Sequence, residues 1–357
     1  MSTRVVQWAT GSVGVAQLRE TIDRPDLELV GVFVYSPDKV GADAGTLVGR
    51  PPTGVVATNE RSAILSLHAD VVLHAASKAF AENTNTDDIV ALLESGKNVI
   101  TTTSYGHLPT FGSDVDARIR RACEQAGTRF HAAGEHPGFM FERLATAVTA
   151  LSQRVDTITV QEFVDCSRVS SRHMLVDLMG MGKRPEEISV DSPMFRAVSL
   201  QYEQALGAAA DGLGLAIDEI RSAIVTGTSP DDVEVACGTL AAGTVVGQVL
   251  SWTAYRDGAP VLVAEEYWTV TSDIPGWDLT LDRQFLVRVI VDGSPPIRVE
   301  LTIGNDAISD LNGVSGGQLA VAMTAVRSIP YVLDAPPGVI IPSVFGAYRW
   351  PDATART

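Results

Sequence analysis

Apolar and polar positions follow two different patterns along the chain, and the change comes near residue 138. Before it, short and almost continuously apolar runs stand between segments with helical spacing of apolar residues. The runs predict strands at Val5–Ala9, Leu27–Tyr35, Gly54–Ala57, Asp70–Ala76, Asn98–Thr103 and Thr128–Ala133. The spacing predicts helices over Val13–Ile22, Glu60–Leu67, Asp87–Ser95 and Asp114–Gln125. Apolar strands that alternate with helices favour an α/β fold with a parallel, doubly wound sheet.

After residue 138 the pattern indicates a mixed α+β region. Phe139–Ser152 and Pro193–Leu215 have helical spacing, whereas Val155–Val164 alternates like a half-exposed strand. Longer strand-like runs follow at Leu240–Tyr255, Val261–Thr271, Phe285–Val291 and Ile297–Ile303. The pairs Asp257-Gly258 and Asp292-Gly293 stand between neighbouring runs and predict hairpin turns, so we expect a mainly antiparallel sheet.

Length agrees with this division of the chain. A chain of 357 residues is too long for one core, and two domains are expected, over 1–138 and 139–311. Gln318–Ser328 predicts a last helix that ends before Pro330.

Charge and cysteine content exclude several classes of function. The formal net charge is −16 and the sequence pI is about 4.7, a field that repels nucleic-acid backbones and anionic membranes. Cys123, Cys166 and Cys237 have no paired spacing, so neither a disulfide framework nor a zinc site is expected. The first residues lead directly into a strand pattern, and no uncharged stretch has the length of a membrane span. These observations favour a soluble cytoplasmic protein.

The segment WATGSVG, from Trp8 to Gly14, joins the first predicted strand to the first predicted helix. Gly11 and Gly14 have the spacing of the second and third glycines of a dinucleotide-binding turn, and Trp8 stands where we expect the first. Glycine is needed because the backbone N–H groups must approach a pyrophosphate closely at a helix N-terminus. The segment therefore predicts a dinucleotide cofactor, with a plain strand-to-helix turn as the alternative.

The end of the second predicted strand bears on the choice of cofactor. An NAD site usually has an acidic residue there for the ribose hydroxyls. This chain has Ser36 at that place, followed by Asp38 and Lys39. Because a hydroxyl and a cation suit a 2′-phosphate, the pattern favours NADP(H), with NAD(H) as the alternative cofactor and a solvated loop charge as the alternative role of Lys39.

Three loops follow the fourth, fifth and sixth predicted strands, at the edge where parallel sheets bind ligands. Their ionisable candidates are Lys78, Tyr105, His107, Glu135, His136 and Glu142. Hydride transfer also needs a proton donor or acceptor, and we single out Tyr105, Glu135 and His136 for that role. A structural cap or a solvated charge is the alternative for each. The spacing of His131 from the Glu135-His136 pair fits no helical metal motif, so no metal is expected.

Six segments in order carry a resemblance to a known family: VVQWATGSVG, VYSPDKVGADAGTLVG, GVVATNE, ALLESGKNVITTT, GEHPGF and AVRSIPYVLDAPPGVI. Together they resemble the dihydrodipicolinate-reductase-like oxidoreductases, nearest the branch of the 2,4-diaminopentanoate dehydrogenases and native amine dehydrogenases. The resemblance spans nearly the whole chain. It implies a Rossmann domain over 1–138, a substrate and dimerisation domain over 139–311, and a C-terminal stretch 312–357 that packs back on the Rossmann domain.

The resemblance also implies roles for individual positions. It assigns the pyrophosphate to the turn residues Thr10, Gly11, Ser12, Val13 and Gly14. It assigns the adenosine ribose to Ser36 and Lys39. It assigns the path from ribose to nicotinamide to Ala76, Ser77 and the strand end Thr101–Thr103, which includes Thr102 and Thr103. It implies that His136, Pro137 and Gly138 close over the nicotinamide.

Two departures from the family narrow the function. The His-His…Lys motif of true dihydrodipicolinate reductases is absent from the sequence, so that activity is not expected. Amine dehydrogenases carry a glutamate just after the fifth strand, where this chain reads Thr103-Ser104-Tyr105-Gly106. We predict a homodimeric NAD(P)-dependent oxidoreductase that moves a hydride between nicotinamide and a small amine, imine or carbonyl substrate. The alternative is a cofactor-binding sensor or assembly protein of the same fold without turnover.

Overall fold

The computed structural model describes residues 2–77, 82–277, 279, 285–304, 311 and 313–350. The chain divides into two compact units, one formed by Met1–Phe139 and Asn305–Ser343 and the other by Met140–Gly304 and Val344–Thr357. Lys78, a candidate in the loop after the fourth predicted strand, lies outside the described residues. Within the described ranges, no helix is both long enough and apolar enough to cross a membrane.

A parallel sheet organises the first unit. Its strands are β1 (Thr3–Trp8), β2 (Leu27–Phe33), β3 (Ala57–Thr58), β4 (Val71–His74), β5 (Asn98–Thr101), β6 (Arg129–Ala132) and β15 (Gly338–Val339). Across the described residues these seven strands lie in the order β15-β6-β5-β4-β1-β2-β3, and every neighbouring pair is parallel. The predicted doubly wound α/β sheet is therefore confirmed.

Helices cover both faces of this sheet. They are α1 (Ser12–Asp23), α2 (Ala44–Leu47), α3 (Arg61–Ser66), α4 (Glu82–Glu94), α5 (Leu108–Phe111), α6 (Ser113–Ala126) and α9 (Gly316–Asp334). On one face Val72 of β4 belongs to a core cluster with Leu92 of α4 and Ile119 of α6. On the other face Val71 packs in a cluster with Val326 of α9. Since both faces are covered, side chains reach a ligand only from the strand ends.

A mixed sheet organises the second unit. Its strands are β7 (Arg154–Asp165), β8 (Glu219–Thr228), β11 (Val245–Arg256), β12 (Ala259–Thr269), β13 (Phe285–Ser294) and β14 (Ile297–Ile303), and β9 (Val233–Val235) and β10 (Gly238–Leu240) form a separate hairpin. The order is β14-β13-β7-β12-β11-β8, and only the β7–β12 pair of these described strands is parallel. The helices of the unit are α7 (Thr146–Val148) and α8 (Pro193–Leu213), and α8 packs on β11 and β12. The mainly antiparallel sheet is confirmed.

Two predicted helices differ from the structure. The single helix expected over Phe139–Ser152 is a π-helical turn over Met140–Ala145, then α7, then a 3₁₀ turn over Thr149–Leu151. The hydroxyls of Thr146 and Thr149 donate to carbonyl oxygens of the preceding turn, and such side chains compete with regular helical hydrogen bonds. In contrast, α9 continues through the exposed Pro330, because Ile329 and Val332 around it are anchored in the core.

The predicted strands of the second unit also need correction. The run Leu240–Tyr255 is divided at Gly243, which has a φ of +78°, into β10 and β11. Asp257-Gly258 does form the predicted hairpin, with both residues at positive φ between β11 and β12. Asp292-Gly293 lies between the paired residues Val291 and Ile297 of the β13–β14 hairpin, but it also forms a bulge against β7, so β13 runs on to Ser294 and the turn itself comes after Gly293. Strand β8 was not predicted, because half of its residues are exposed and its polar positions hide the alternation.

Candidate functional site

The turn between β1 and α1 is held in an unusual backbone conformation. Ala9 has a φ of +72°, a left-handed conformation that favours glycine. Its N–H donates to Phe33 O at 2.9 Å, and its carbonyl oxygen accepts from Gln7 Nε2 at 2.9 Å. Gln7 Nε2 also donates to Gln17 Oε1 at 3.1 Å, and both glutamines are fully buried. A buried amide pair therefore anchors the turn from below.

The two glycines of the turn have different surroundings. A Cβ on Gly14 would lie 2.2 Å from Ala9 O, so only glycine lets α1 pack this closely on the strand end. A Cβ on Gly11 would meet no atom of the described residues within 4 Å, and Gly11 is exposed at the N-terminus of α1. Gly11 is therefore not needed for packing, and the open space above it fits a phosphate group approaching the helix N-terminus. Ser12 and Val13 begin that helix and are half-exposed, and Thr10 is buried beside them.

The place of the first glycine in this motif needs correction. The left-handed residue is Ala9, two positions before Gly11, and not Trp8. Trp8 is the last residue of β1 and is fully buried, with its ring stacked 3.9 Å from that of Phe33. Its Nε1–H donates to Tyr35 Oη at 3.0 Å. Trp8 is thus part of the core below the turn, and the alanine after it has the conformation in which glycine is usual.

A lysine from the loop after β2 reaches the turn. Lys39 Nζ donates to Thr10 O at 2.8 Å and lies 3.3 Å from Thr10 Oγ1. Ser36 is exposed and precedes the short 3₁₀ turn Pro37–Lys39, and its carbonyl accepts from the Lys39 N–H at 3.1 Å. The structure therefore brings Lys39 and Thr10 together and leaves Ser36 at the surface beside them.

The strand ends of β4 and β5 are joined by a chain of polar contacts. Thr102 N–H donates to His74 O at 2.9 Å, and His74 Nδ1 lies 2.9 Å from Thr101 Oγ1. Thr101 Oγ1 is also 2.7 Å from Thr103 Oγ1. Ala76 is buried after β4, and Ser77 is exposed, with its carbonyl accepting from Asn85 Nδ2 at 3.1 Å. These predicted cofactor residues therefore lie on two neighbouring strand ends of one sheet edge.

Tyr105 is turned into the core of the first unit. Only 3% of the residue is exposed, its ring stacks on Phe111 at 4.5 Å, and Phe130 meets it edge-on. Its hydroxyl lies 2.8 Å from Thr86 Oγ1. A hydroxyl in this position anchors the loop after β5 to α4.

The loop after β6 folds back on itself around two glycines. A Cβ on Gly134 would lie 2.4 Å from Pro137 O, and one on Gly138, at a φ of +133°, would lie 2.8 Å from Gly134 N. A Cβ on Gly106 would lie 2.8 Å from Pro137 Cβ, so the loops after β5 and β6 are in contact. The tight turn leaves Glu135 and His136 half-exposed at its apex.

The N-terminus of α9 stands beside the Glu135 side chain. Glu135 Oε2 lies 3.4 Å from the place of a Cβ on Gly317, the second residue of α9. The N-terminal end of a helix favours a carboxylate, because its backbone dipoles point their positive ends outward. His131, one of the residues weighed for a metal site, instead places Nδ1 3.0 Å from Ile340 O. Within the described residues, no group of three or more His, Cys, Asp and Glu side chains is arranged to hold a metal ion.

The second unit contains a buried carboxylate that sequence reasoning missed. Glu162 on β7 is 4% exposed and accepts a hydrogen bond from Tyr202 Oη of α8 at 2.9 Å. Glu162 stands in register with Glu266 on β12, and the Tyr202 ring stacks on Trp252 at 4.1 Å. Burial, with the nearby Glu162 and Glu266 carboxylates, raises the pKa of Tyr202 well above its usual range. The sequence signal was a glutamate at an inward position of an alternating strand.

Comparison with known proteins finds dehydrogenases that are similar to this chain. The amine dehydrogenase of Streptomyces virginiae is 27% identical over 340 residues, which cover 94% of this chain and 93% of that protein. The solved amine dehydrogenase from Mycobacterium smegmatis superposes with a TM-score of 0.68 at 19% identity, covering 96% of this chain and 97% of that one. GenD2 from gentamicin A biosynthesis, solved in complex with NAD, gives a TM-score of 0.51 at 14% identity, with 97% of this chain and 90% of that one covered. The chain matches no family model.

Proposed function

We propose that the protein is an NAD(P)-dependent oxidoreductase that transfers a hydride between nicotinamide and a small amine, imine or carbonyl substrate. The observation that carries the proposal is the turn from Ala9 to Gly14, where a left-handed Ala9 and a closely packed Gly14 leave open space at Gly11. The sequence likeness to an amine dehydrogenase over most of both chains supports the amine or imine substrate class.

The residues of the turn fit a dinucleotide. Gly11 and the first N–H groups of α1 would hold the pyrophosphate, with Thr10, Ser12, Val13 and Gly14 shaping the turn around it. Ala76, Ser77, Thr102 and Thr103 would line the path toward the nicotinamide, and Pro137 would close over it. A bound nicotinamide would supply the hydride or take it up.

Lys39 supports a preference for NADP(H). Its ammonium group donates to Thr10 O at the turn, and the exposed Ser36, three residues earlier in the same loop, stands where an acidic side chain is usual in NAD sites. A cation and a hydroxyl suit a 2′-phosphate, whereas an acidic residue would suit a free ribose. NAD(H) remains the alternative, and GenD2 was solved with NAD.

Glu135 and His136 would move the proton. Both are half-exposed on a tight turn at the ligand edge of the sheet, and Glu135 Oε2 lies beside the N-terminus of α9. The carboxylate would take a proton from the substrate amine or hydroxyl. Tyr105 remains a third candidate from the sequence, and its burial supports a role in anchoring the loop.

Titration with NADPH and with NADH tests the function. We expect nicotinamide fluorescence to change and the Tm to rise with at least one of them, and the Gly11→Ala variant to weaken that binding by about tenfold or more. Because a Cβ on Gly11 meets nothing within 4 Å of it in the described residues, this variant should fold like the wild type. A wild-type protein that responds to neither cofactor would refute the proposal.

Variants at the loops test the proton carriers. We expect Glu135→Gln to lower kcat by about a hundredfold or more while leaving cofactor Kd unchanged. Tyr105→Phe removes only the hydroxyl and should lower stability more than kcat. Equal activity of Glu135→Gln and wild type would remove Glu135 from the mechanism.

A cofactor-binding protein without turnover is the second candidate. It is favoured by the stretch Thr103–Gly106, which has no carboxylate where amine dehydrogenases carry a glutamate, and by the burial of Tyr105 within that stretch. Cofactor binding without oxidation or reduction across a panel of amines, ketones and alcohols would support it. Turnover that collapses in Glu135→Gln would exclude it.

We also propose a homodimer formed through the mixed sheet. Alternate residues of β7, β11 and β12 stay half-exposed on the face opposite α8, where Gln161 Nε2 donates to Glu265 Oε2 at 2.7 Å and the Arg288 guanidinium lies 4.9 Å from the Phe163 ring centre. Such a face suits a second copy of the same sheet. Light scattering that finds a monomer at micromolar concentration would overturn this assignment.

A further inference from the structure

The polar contacts that start at His74 form a chain with three members. His74 ends β4 and is fully buried, and its Nδ1 lies 2.9 Å from Thr101 Oγ1 at the end of β5. Thr101 Oγ1 lies 2.7 Å from Thr103 Oγ1 and accepts the Thr103 N–H at 3.2 Å. The chain therefore runs from the core of the parallel sheet to the first residues after β5.

The imidazole of His74 is neutral, because complete burial lowers the pKa of His74 to about 3. A neutral ring carries one hydrogen, on either Nδ1 or Nε2. Among the described residues Nε2 has no hydrogen-bond partner. Unpaired buried N–H groups are rarer than under-satisfied acceptors, so the hydrogen belongs on Nδ1, which donates to Thr101.

This tautomer fixes which atom donates in each hydrogen bond from His74 through Thr101 to Thr103. Thr101 Oγ1 has two acceptor lone pairs, and the Thr103 N–H and His74 Nδ1–H fill both of them. Its own hydrogen must therefore go to Thr103 Oγ1. The hydroxyl hydrogen of Thr103 is then not used within this hydrogen-bond chain, and Thr103 lies two residues after the end of β5, at the sheet edge where parallel sheets bind their ligands.

We propose that His74 is a positioning residue that fixes Thr103 as a hydrogen-bond donor to the nicotinamide half of the cofactor. The inference rests on the proposed function. The acceptors available to such a donor in that half are the ribose oxygens and the carboxamide oxygen. A buried histidine is suited to this task because it cannot change protonation state over the pH range in which enzymes work.

Two variant pairs break the chain with matched controls. Thr101→Val removes the linking hydroxyl with almost no change of shape, and Thr101→Ser keeps it. His74→Phe removes the ring nitrogens and keeps a ring, and His74→Asn restores an amide N–H near the place of Nδ1. If His74→Phe does not fold, the Thr101 pair carries the test.

The readout compares two ligands by calorimetry: the reduced cofactor that binds the wild type, and ADP-ribose or its 2′-phosphate, which lacks nicotinamide. We expect Thr101→Val and His74→Phe to weaken cofactor binding by about tenfold, the size of one hydrogen bond, and to leave the Kd of the nicotinamide-free ligand within about twofold. Thr101→Ser and His74→Asn should return cofactor binding toward the wild-type value.

Two results would overturn the inference while the proposed function stands: an unchanged cofactor Kd in Thr101→Val, or an equal loss for both ligands. Wild-type protein that binds neither ligand would instead remove the proposed function itself, and the inference with it.

Discussion

The two sheets of this protein differ in how many of their faces are covered. In the parallel sheet, β4 and β5 are buried along their whole length, with core clusters on both faces. In the mixed sheet, β11 alternates from Leu250 onward between buried and half-exposed residues. A sheet covered on both faces can offer chemistry only at its strand ends, whereas a sheet covered on one face keeps a surface for another chain.

The difference also sets what each sheet does with polar side chains. Polar groups inside the parallel sheet, such as His74 and Gln7, are fully buried and fixed by hydrogen bonds that end at the ligand edge. The mixed sheet separates its polar groups by face: Glu162 is buried under α8, and Gln161 beside it is half-exposed among polar and aromatic neighbours. Substitutions in the two sheets should therefore have different costs.

The largest effect is expected at the ligand edge of the parallel sheet. Gly14→Ala places a Cβ 2.2 Å from Ala9 O, a backbone atom that cannot move without separating α1 from β1. We expect a loss of about 4 kcal/mol in the free energy of unfolding, or failure to fold. The matched control is Gly11→Ala, which meets no neighbour among the described residues and should stay within about 0.5 kcal/mol of wild type. Urea unfolding measures both, and equal stabilities of the two variants would contradict the close packing at Gly14.

The next largest effect is the loss of stability at low pH that the buried His74 causes. Its pKa is about 3 in the folded protein and its usual value is 6.5, so below pH 6.5 the unfolded chain binds a proton that the folded chain does not. Stability from this group is complete above pH 6.5 and is lost as the pH falls toward 3. Between pH 6.5 and 4 the loss is about 3 kcal/mol, from about 1.4 kcal/mol per pH unit.

Urea unfolding of wild type and His74→Phe at several pH values isolates this contribution. Carboxylates titrate in both proteins, so only the difference between the two profiles reports His74. That difference should shrink by about 3 kcal/mol from pH 6.5 to 4. Parallel profiles would mean that the folded imidazole takes up its proton over the same pH range as the unfolded one.

A smaller effect is expected under the covered face of the mixed sheet. Tyr202→Phe takes the hydroxyl donor away from the buried Glu162 carboxylate, and hydrogen bonds to charged groups contribute about 2 kcal/mol. The control is Tyr255→Phe on the half-exposed side, where the ring lies 4.4 Å from the Arg221 guanidinium and is kept by the substitution. Thermal unfolding should show a lower Tm for Tyr202→Phe only. A similar Tm in both variants would show that the buried face is no more sensitive than the open one.

The sequence revealed the parallel sheet more fully than the site, for physical reasons. Continuous apolar strands and Gly11 with Gly14 are local signals, and they predicted the sheet and the turn. Three features could not be read locally: the left-handed conformation of Ala9 depends on Phe33, whose carbonyl oxygen accepts the Ala9 N–H, the core position of Tyr105 depends on Phe130, and the Glu135 environment depends on α9, which lies far along the chain. Contacts between distant segments, rather than local periodicity, decide where these side chains point.

The smallest change in stability is expected on the half-exposed face of the mixed sheet, opposite α8. A substitution there tests whether this face takes part in assembly. Val225 of β8 is 57% exposed, so Val225→Lys should change the free energy of unfolding of the single chain by no more than about 0.5 kcal/mol. If this face forms the homodimer, a lysine there leaves two buried charges at the interface and should shift the protein toward monomer. Val190→Lys, at a valine that is 37% exposed outside the sheet, is the matched control and should leave the assembly unchanged. Light scattering across a dilution series measures the molar mass of both variants. The same molar mass for Val225→Lys and Val190→Lys would show that this face is not the dimer interface.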